Sequence, residues 1–144
     1  MGRRKHNSAE ARKEANKTLY VAKLMNNPTS PRKTRLVADL IRGVDVDKAL
    51  AILQFNPRES APKMRKLLLS AMSNWQAKNE GKRIEDSQLY VKTVMVDEGR
   101  TAKRMRTAPQ GRGYRIRKRS NHITMILGSR VEEAAEAPVA QKED

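Results

Sequence analysis

The chain has 144 residues and carries 31 Lys and Arg against 16 Asp and Glu, a net charge of +15. This length suits one domain with one modest core. Because the sequence has no cysteine and only two histidines, disulfides and a Cys/His zinc site are excluded, and we expect no metal and no cofactor. No apolar run approaches the about 18 residues of a membrane helix, so we expect no membrane contact.

The positive charge is unevenly distributed along the chain. The net charge is +8 over 1–35, +1 over 36–99, +10 over 100–130 and −4 over 131–144. The near-neutral middle has the composition of a globular body. The excess positive charge therefore belongs to two segments that flank this body.

We divide the chain into three parts on this basis. Residues 1–17 are polar and basic with little periodicity, which predicts a flexible arm. Residues 18–130 are predicted to form a single globular domain. Residues 131–144 are acidic and rich in alanine, which predicts a disordered tail.

The domain is predicted to begin with a strand and a helix. The strand covers Thr18–Met25 and ends before Pro28. Ser30 as N-cap and Pro31 at the first helical position then predict a helix that ends at Gly43.

Two further helices are predicted after this one. Val46–Gln54 has one apolar stripe, and Asp45 can cap its first turn. The next helix follows Asn56, Pro57 and Glu59. Because Pro62 removes a backbone donor in the second turn, the regular helix either begins nearer Ser60 or carries a kink, and it fades at 79–81. Its Met and Trp side chains recur at core spacing, so we interpret them as core residues rather than as a ligand site.

The period then changes from helical to extended. Gln88–Asp97 and Gly113–Leu127 are rich in Val, Tyr, Ile and Thr, which predicts two strands. Together they form a long hairpin over about 89–127, with a tip at about 99–112. Each arm would reach roughly 60 Å if fully extended, which exceeds the diameter of the body.

The second of these strands changes its alternation. Ile123 and Met125 stand at odd positions, whereas Tyr114 and Ile116 stand at even positions. Because side chains alternate with period two, either a bulge lies around 118–122 or the strand leaves the body there.

A run of cations without any acid covers the tip and much of the second strand. It consists of Arg100, Lys103, Arg104, Arg106, Arg112, Arg115, Arg117, Lys118 and Arg119. Seven of the nine are Arg, which binds phosphate bidentately and stacks on bases. Nucleic acid is therefore the favoured partner, ahead of an anionic membrane, because no amphipathic apolar face accompanies the cations.

No catalytic arrangement stands out in the sequence. Ser120 and His122 share a strand face, but no carboxylate lies near them, so we expect His122 to contact phosphate rather than to act as a base. We expect no enzymatic activity. The alternatives that stay open are a free-standing basic nucleic-acid chaperone or nucleoid-like protein and, less favoured, an RNA-modifying enzyme.

Several stretches resemble the bacterial type of the large-subunit ribosomal protein twenty-two family. The signature is Gln110–Thr124 (QGRGYRIRKRSNHIT), where the family usually ends in Ser-His-Ile-Thr and Asn121 stands here before His122. Further matches are Ser30–Gly43, Lys48–Leu53, Ser70–Asn74 and Val96–Gly99.

The resemblance implies an α+β fold, with three helices packed on a small three-stranded antiparallel sheet and a long protruding β-hairpin. It also implies a structural constituent of the cytoplasmic large ribosomal subunit, which binds large-subunit rRNA, assists early assembly and lines the nascent-peptide exit tunnel. Its partners would be rRNA, neighbouring large-subunit proteins and the passing nascent peptide, and it would not be a homo-oligomer. The hairpin tip would be Thr101–Arg112, with Ala102, Lys103 and Arg104 nearest the tunnel lumen.

The predicted rRNA-binding side chains lie on the hairpin and on the first predicted helix. Their contacts are expected to fix the position of the protein, while the shape of the RNA provides most of the selection. They are Arg32, Lys33, Arg35, Arg100, Lys103, Arg104, Arg106, Arg112, Arg115, Arg117, Lys118, Arg119 and His122.

Overall fold

The computed structural model describes residues 3–17, 19–79, 83–84 and 87–131 of the chain. The elements are α1 (Arg3–Lys17), β1 (Tyr20–Asn27), α2 (Pro31–Ile41), α3 (Val46–Phe55), α4 (Ser60–Lys78), β2 (Leu89–Thr107) and β3 (Gly113–Ser129). A single 3₁₀ turn, Pro109–Gly111, joins β2 to β3.

The sheet has three antiparallel strands in the order β1-β3-β2. Buried apolar side chains from α2, α3 and α4 form one core with the inward-facing residues of the sheet, such as Val94, Val96, Ile123 and Met125. The predicted α+β fold of three helices on a three-stranded sheet with a hairpin is therefore confirmed.

The core stripe of α4 is also confirmed. Met64, Leu68 and Trp75 are fully buried, and the Trp75 ring meets the ring of Tyr20 edge-on, with centroids 6.2 Å apart. Burying an aromatic pair in this geometry stabilises a core by about 0.5–1.5 kcal/mol beyond the area removed from water. The stripe thus fixes α4 against β1.

The predicted caps of α2 and α3 stand at the right positions but make no capping bond. Neither the Ser30 hydroxyl nor the Asp45 carboxylate accepts a hydrogen bond from a backbone N–H in the first turn of its helix. The Asp45 carboxylate instead contacts the Lys48 ammonium at 3.2 Å and the Arg130 guanidinium at 3.0 Å. Asp45 therefore ties the start of α3 to the residue after β3.

Residues 3–17, predicted as part of an irregular arm, form the helix α1. None of its residues is buried, which explains why no apolar periodicity announced it. Local contacts support it: Arg12 donates to the Ser8 hydroxyl, and the Lys78 ammonium donates to the Lys17 and Leu19 carbonyls. The predicted acidic tail lies almost entirely in 132–144, outside the described residues.

The two hairpin strands pair from Leu89↔Ser129 to Thr107↔Gly113, close to the predicted 89–127, but only the outer part of this ribbon projects from the body. About half of each strand belongs to the sheet of the body, and seven residue pairs, from Thr101↔Arg119 to Thr107↔Gly113, extend beyond it. The projecting part is about 23 Å long, because the rest of each roughly 60 Å arm is paired within the sheet of the body. The predicted tip of about 99–112 narrows to the turn at 108–112.

A bulge marks the point where the hairpin leaves the body. It lies on β2, where Gly99 and Arg100 stand opposite Ser120, so that of the two alternatives for 118–122 the strand leaving the body applies and the bulge in β3 does not. Gly99 fits closely there, because a Cβ atom would lie 2.8 Å from the Ser120 hydroxyl oxygen and 3.2 Å from the Ser120 carbonyl carbon, so a larger residue would require Ser120 to shift. β3 keeps one regular alternation of its side chains. Its apolar residues change from odd to even positions because the strand leaves the core, and not because its side chains change sides.

A buried polar network holds the root of the hairpin. The two hydrogens of the Asn121 amide nitrogen are shared among three acceptors: the Thr29 carbonyl and hydroxyl, both at 2.9 Å, and the Thr34 hydroxyl at 3.0 Å. Its amide oxygen accepts from Asn27 at 3.1 Å, and the Thr34 and Ser60 hydroxyls are 3.1 Å apart. This network joins β3 to β1 and to the starts of α2 and α4, and we call it the root network.

We predict that Asn121→Ala destabilises the protein by about 3 kcal/mol, because it leaves buried partners without hydrogen bonds. Asn74→Ala is the matched control: its exposed amide donates once, to the Val21 carbonyl, and its loss should cost about 1 kcal/mol or less. Urea unfolding of both variants measures the difference. Equal losses would show that the root network is not a stability element.

The contacts of Asp45 predict how the stability of the protein changes at acid pH. The hydrogen bond from Lys48, reinforced by the charges of Lys48 and Arg130, lowers the pKa of the Asp45 carboxyl below its ordinary 3.8. The resulting stabilisation is complete above pH 3.8 and disappears as the pH falls through the lower folded-state pKa. Thermal unfolding from neutral to acid pH should show a smaller acid loss for Asp45→Asn than for the unmodified chain. Parallel curves would contradict this assignment.

Candidate nucleic-acid interface

The projecting hairpin exposes all its cations. No residue from Asp97 to Ser120 is buried, and the nine cations predicted from the sequence all lie in this span, with Glu98 as the nearest acid. Among the described residues, none of the nine forms an ion pair within the chain. The hairpin therefore carries its charge without internal compensation.

The strand register distributes these cations over both faces of the ribbon. Lys103 stands directly opposite Arg117, a like-charge pair that disfavours the isolated hairpin. On the other face, Arg106 stands opposite Tyr114, whose ring is 66% exposed. An exposed aromatic among arginines is a surface on which a base can stack.

The predicted site residues of α2 divide into two groups. Arg32 and Lys33 are exposed, whereas the Arg35 guanidinium donates through Nε and Nη2 to the Val96 carbonyl at 3.2 and 3.1 Å. Arg42 donates similarly to the Val94 carbonyl at 3.0 Å. Both arginines cover carbonyls of the edge strand β2, which is a structural role that the sequence did not reveal.

His122 lies at the root of the hairpin, opposite Asp97 on β2. Its Nδ1 accepts a hydrogen bond from the Asn26 backbone N–H at 3.0 Å, so the ring proton belongs on Nε2. A Cβ on Gly99 would lie 3.2 Å from that Nε2. The imidazole is thus held with Nε2 as its donor at the bulge. Although Asp97 stands opposite, no ion pair joins His122 to a carboxylate among the residues that the structure describes.

The predicted tip residues do not lie at the turn. Ala102, Lys103 and Arg104 pair with Lys118, Arg117 and Ile116, in the half of the ribbon nearer to the body. The outermost residues are Ala108 to Arg112, where Gln110 and Gly111 adopt positive φ angles of 63° and 70°. The residue pattern alone could not place this turn, because both strands extend into the polar segment and no change in polarity marks where they end.

A cleft of about 810 Å³ separates the root of the hairpin from the starts of α2 and α4, and we call it the root cleft. It brings together predicted site residues that are far apart in sequence: Lys33 on one side and Arg100, Arg117, Lys118 and Arg119 on the other. Its body side also includes Arg58, which the sequence analysis missed because it stands alone in the loop before α4.

No group of His, Asp and Glu side chains in the part of the chain that the structure describes could hold a metal ion. None of its helices combines the length and the apolar content that crossing a membrane requires.

Comparison with known proteins agrees with this arrangement. The family model "Ribosomal protein L22p/L17e" matches residues 22–128, which includes the whole sheet core and the hairpin. Curated relatives named large ribosomal subunit protein uL22 include that of Bacteroides fragilis, 61% identical over 130 residues, 90% of this chain and 95% of the relative.

Two other relatives with the same name are similarly close. The protein of Flavobacterium psychrophilum is 59% identical over 129 residues, 90% of this chain and 94% of its own. That of Porphyromonas gingivalis is 60% identical over 127 residues, 88% of this chain and 94% of its own. With a fold, a basic hairpin and a family match that cover the same residues, the chain belongs to the ribosomal protein L22p/L17e family.

Proposed function

We propose that this chain is a structural constituent of the large ribosomal subunit in the cytoplasm, where it binds large-subunit rRNA. The observation that carries the proposal is the projecting hairpin, whose nine cations have no ion-pair partner among the described residues. Family membership supports a ribosomal role, and such a protein positions RNA rather than catalysing a reaction.

RNA would supply the counter-charge that the hairpin lacks. Arginines on both faces of a narrow ribbon can bind phosphates from strands on either side, so the ribbon suits a groove surrounded by RNA. We assign the phosphate contacts to the exposed cations of the hairpin and to Arg32 and Lys33 of α2. Arg35 contributes chiefly by holding α2 against β2.

The proposal extends to early assembly and to the exit tunnel, and the same ribbon supports both. A hairpin that contacts several RNA segments at once would stabilise their arrangement early in assembly. Its distal part, from Lys103 to Arg112, would line the tunnel and meet the nascent peptide, while the body would contact neighbouring proteins. The register favours residues 108–112, rather than Ala102, for the deepest position.

The alternative function, a free-standing nucleic-acid chaperone, rests on the same cations. The two functions differ in specificity, because a chaperone would bind any polyanion. If the purified chain bound random duplex DNA as tightly as large-subunit rRNA at about 200 mM salt, the ribosomal assignment would fail.

We predict that the double variant Arg115→Gln, Arg117→Gln flattens the salt dependence of rRNA binding. Removing two phosphate contacts should reduce the slope of log K against log salt by about 1.5, with weaker binding at every salt concentration. The control is Arg65→Gln, Lys66→Gln, which removes the same charge from the exposed face of α4. Filter binding to large-subunit rRNA over a salt series measures the slopes, and equal slopes for the two variants would exclude the hairpin as the contact surface.

A further inference from the structure

We propose that the root cleft binds one unstacked nucleotide of the RNA, with its base against the apolar wall and its phosphate on the surrounding cations. This inference rests on the proposed rRNA binding and adds a defined pocket to it. It assigns part of the binding energy to a base contact rather than to phosphate neutralisation alone.

The charge of the cleft favours an anionic occupant. Six of its lining residues are cations: Lys33, Arg58, Arg100, Arg117, Lys118 and Arg119. The one acid among the described lining residues is Glu59, whose carboxylate is already bound by the Lys63 ammonium at 3.0 Å. An occupant that brings at least one negative charge would therefore relieve repulsion between the two sides of the cleft.

The apolar part of the cleft favours a base. Pro28 and Leu36 on the body and Ala102 on the hairpin line the same space as the cations, and Leu36 is 52% exposed. A phosphate strand alone would leave this wall in contact with water. A nucleotide presents both an apolar ring and a phosphate, and four of the six surrounding cations are arginines, which can also stack on the ring.

The size of the cleft fits a small group rather than a duplex. Its volume of about 810 Å³ lies within the range of roughly 300–1,000 Å³ that is typical of small-molecule sites. RNA reaches such sites through bulged or looped nucleotides, whose bases are free to leave the stack.

The body side of the cleft is held in place before binding. Thr29 and Ser60 line it, and both belong to the root network around Asn121. On the hairpin side, the Ser120 hydroxyl donates to the Arg100 carbonyl across the bulge. The body side is therefore fixed before a nucleotide binds, so that only the hairpin side needs further ordering.

The first test uses Leu36→Gln in the full chain, which shortens the apolar wall without changing charge. Removing a stacking surface should weaken binding to large-subunit rRNA by about fivefold or more, with the salt slope unchanged. Leu40→Gln, one helical turn further along α2 and outside the cleft, is similarly exposed at 46% and should bind like the unmodified chain. Equal affinities for the two variants, with a steep salt slope retained, would refute nucleotide binding in the root cleft without contradicting the proposed function.

The second test identifies the occupant directly and does not depend on the stability of the Leu36 variant. Ala102→p-benzoylphenylalanine in a reconstituted large subunit should crosslink to one unpaired nucleotide, located by a reverse-transcription stop. Crosslinks to paired RNA only, to no RNA, or to residues 132–144 of the chain itself would each overturn the proposal. If the unmodified chain failed to bind rRNA with a steep salt dependence, the proposed function itself would fail.

Discussion

The buried amide of Asn121 is the constraint on which the rest of the structure depends. It is fully buried and makes its hydrogen bonds to Thr29, Thr34 and Asn27 at the point where β3 leaves the core. A buried polar group is costly unless every bond is made, so this position admits few arrangements of β1, α2 and β3. The direction of the hairpin and the width of the root cleft both follow from that restriction.

Beyond this point, the dominant feature of the hairpin is positive charge that no acid among the described residues neutralises. The body balances its charges, and arginines such as Arg35 and Arg42 cover the β2 edge. The cations of the projecting ribbon have no ion-pair partner among the described residues, and Lys103 faces Arg117 directly. A two-stranded ribbon without a buried face is marginally stable alone, so a polyanion around it supplies both the counter-charge and the missing contacts.

Much of this could be predicted from the sequence, because local signals are strong where a helix has one apolar face. Pro31, Gly43 and the stripe ending at Trp75 predicted their helices to within a few residues. The exposed helix α1 could not be predicted, since it buries nothing. The bulge at Gly99 and the root cleft, which combines Arg58 with Arg117, depend on strand register and tertiary packing, which no local pattern encodes.

Hydrogen–deuterium exchange of the full chain, free and in the assembled large subunit, tests the central claim that RNA completes the hairpin. Amides of 101–119 should exchange rapidly in the free protein and become protected in the particle, whereas those of 121–127 should be protected in both. Equal protection of 101–119 in the free protein would show that the ribbon is stable without RNA and would contradict the account.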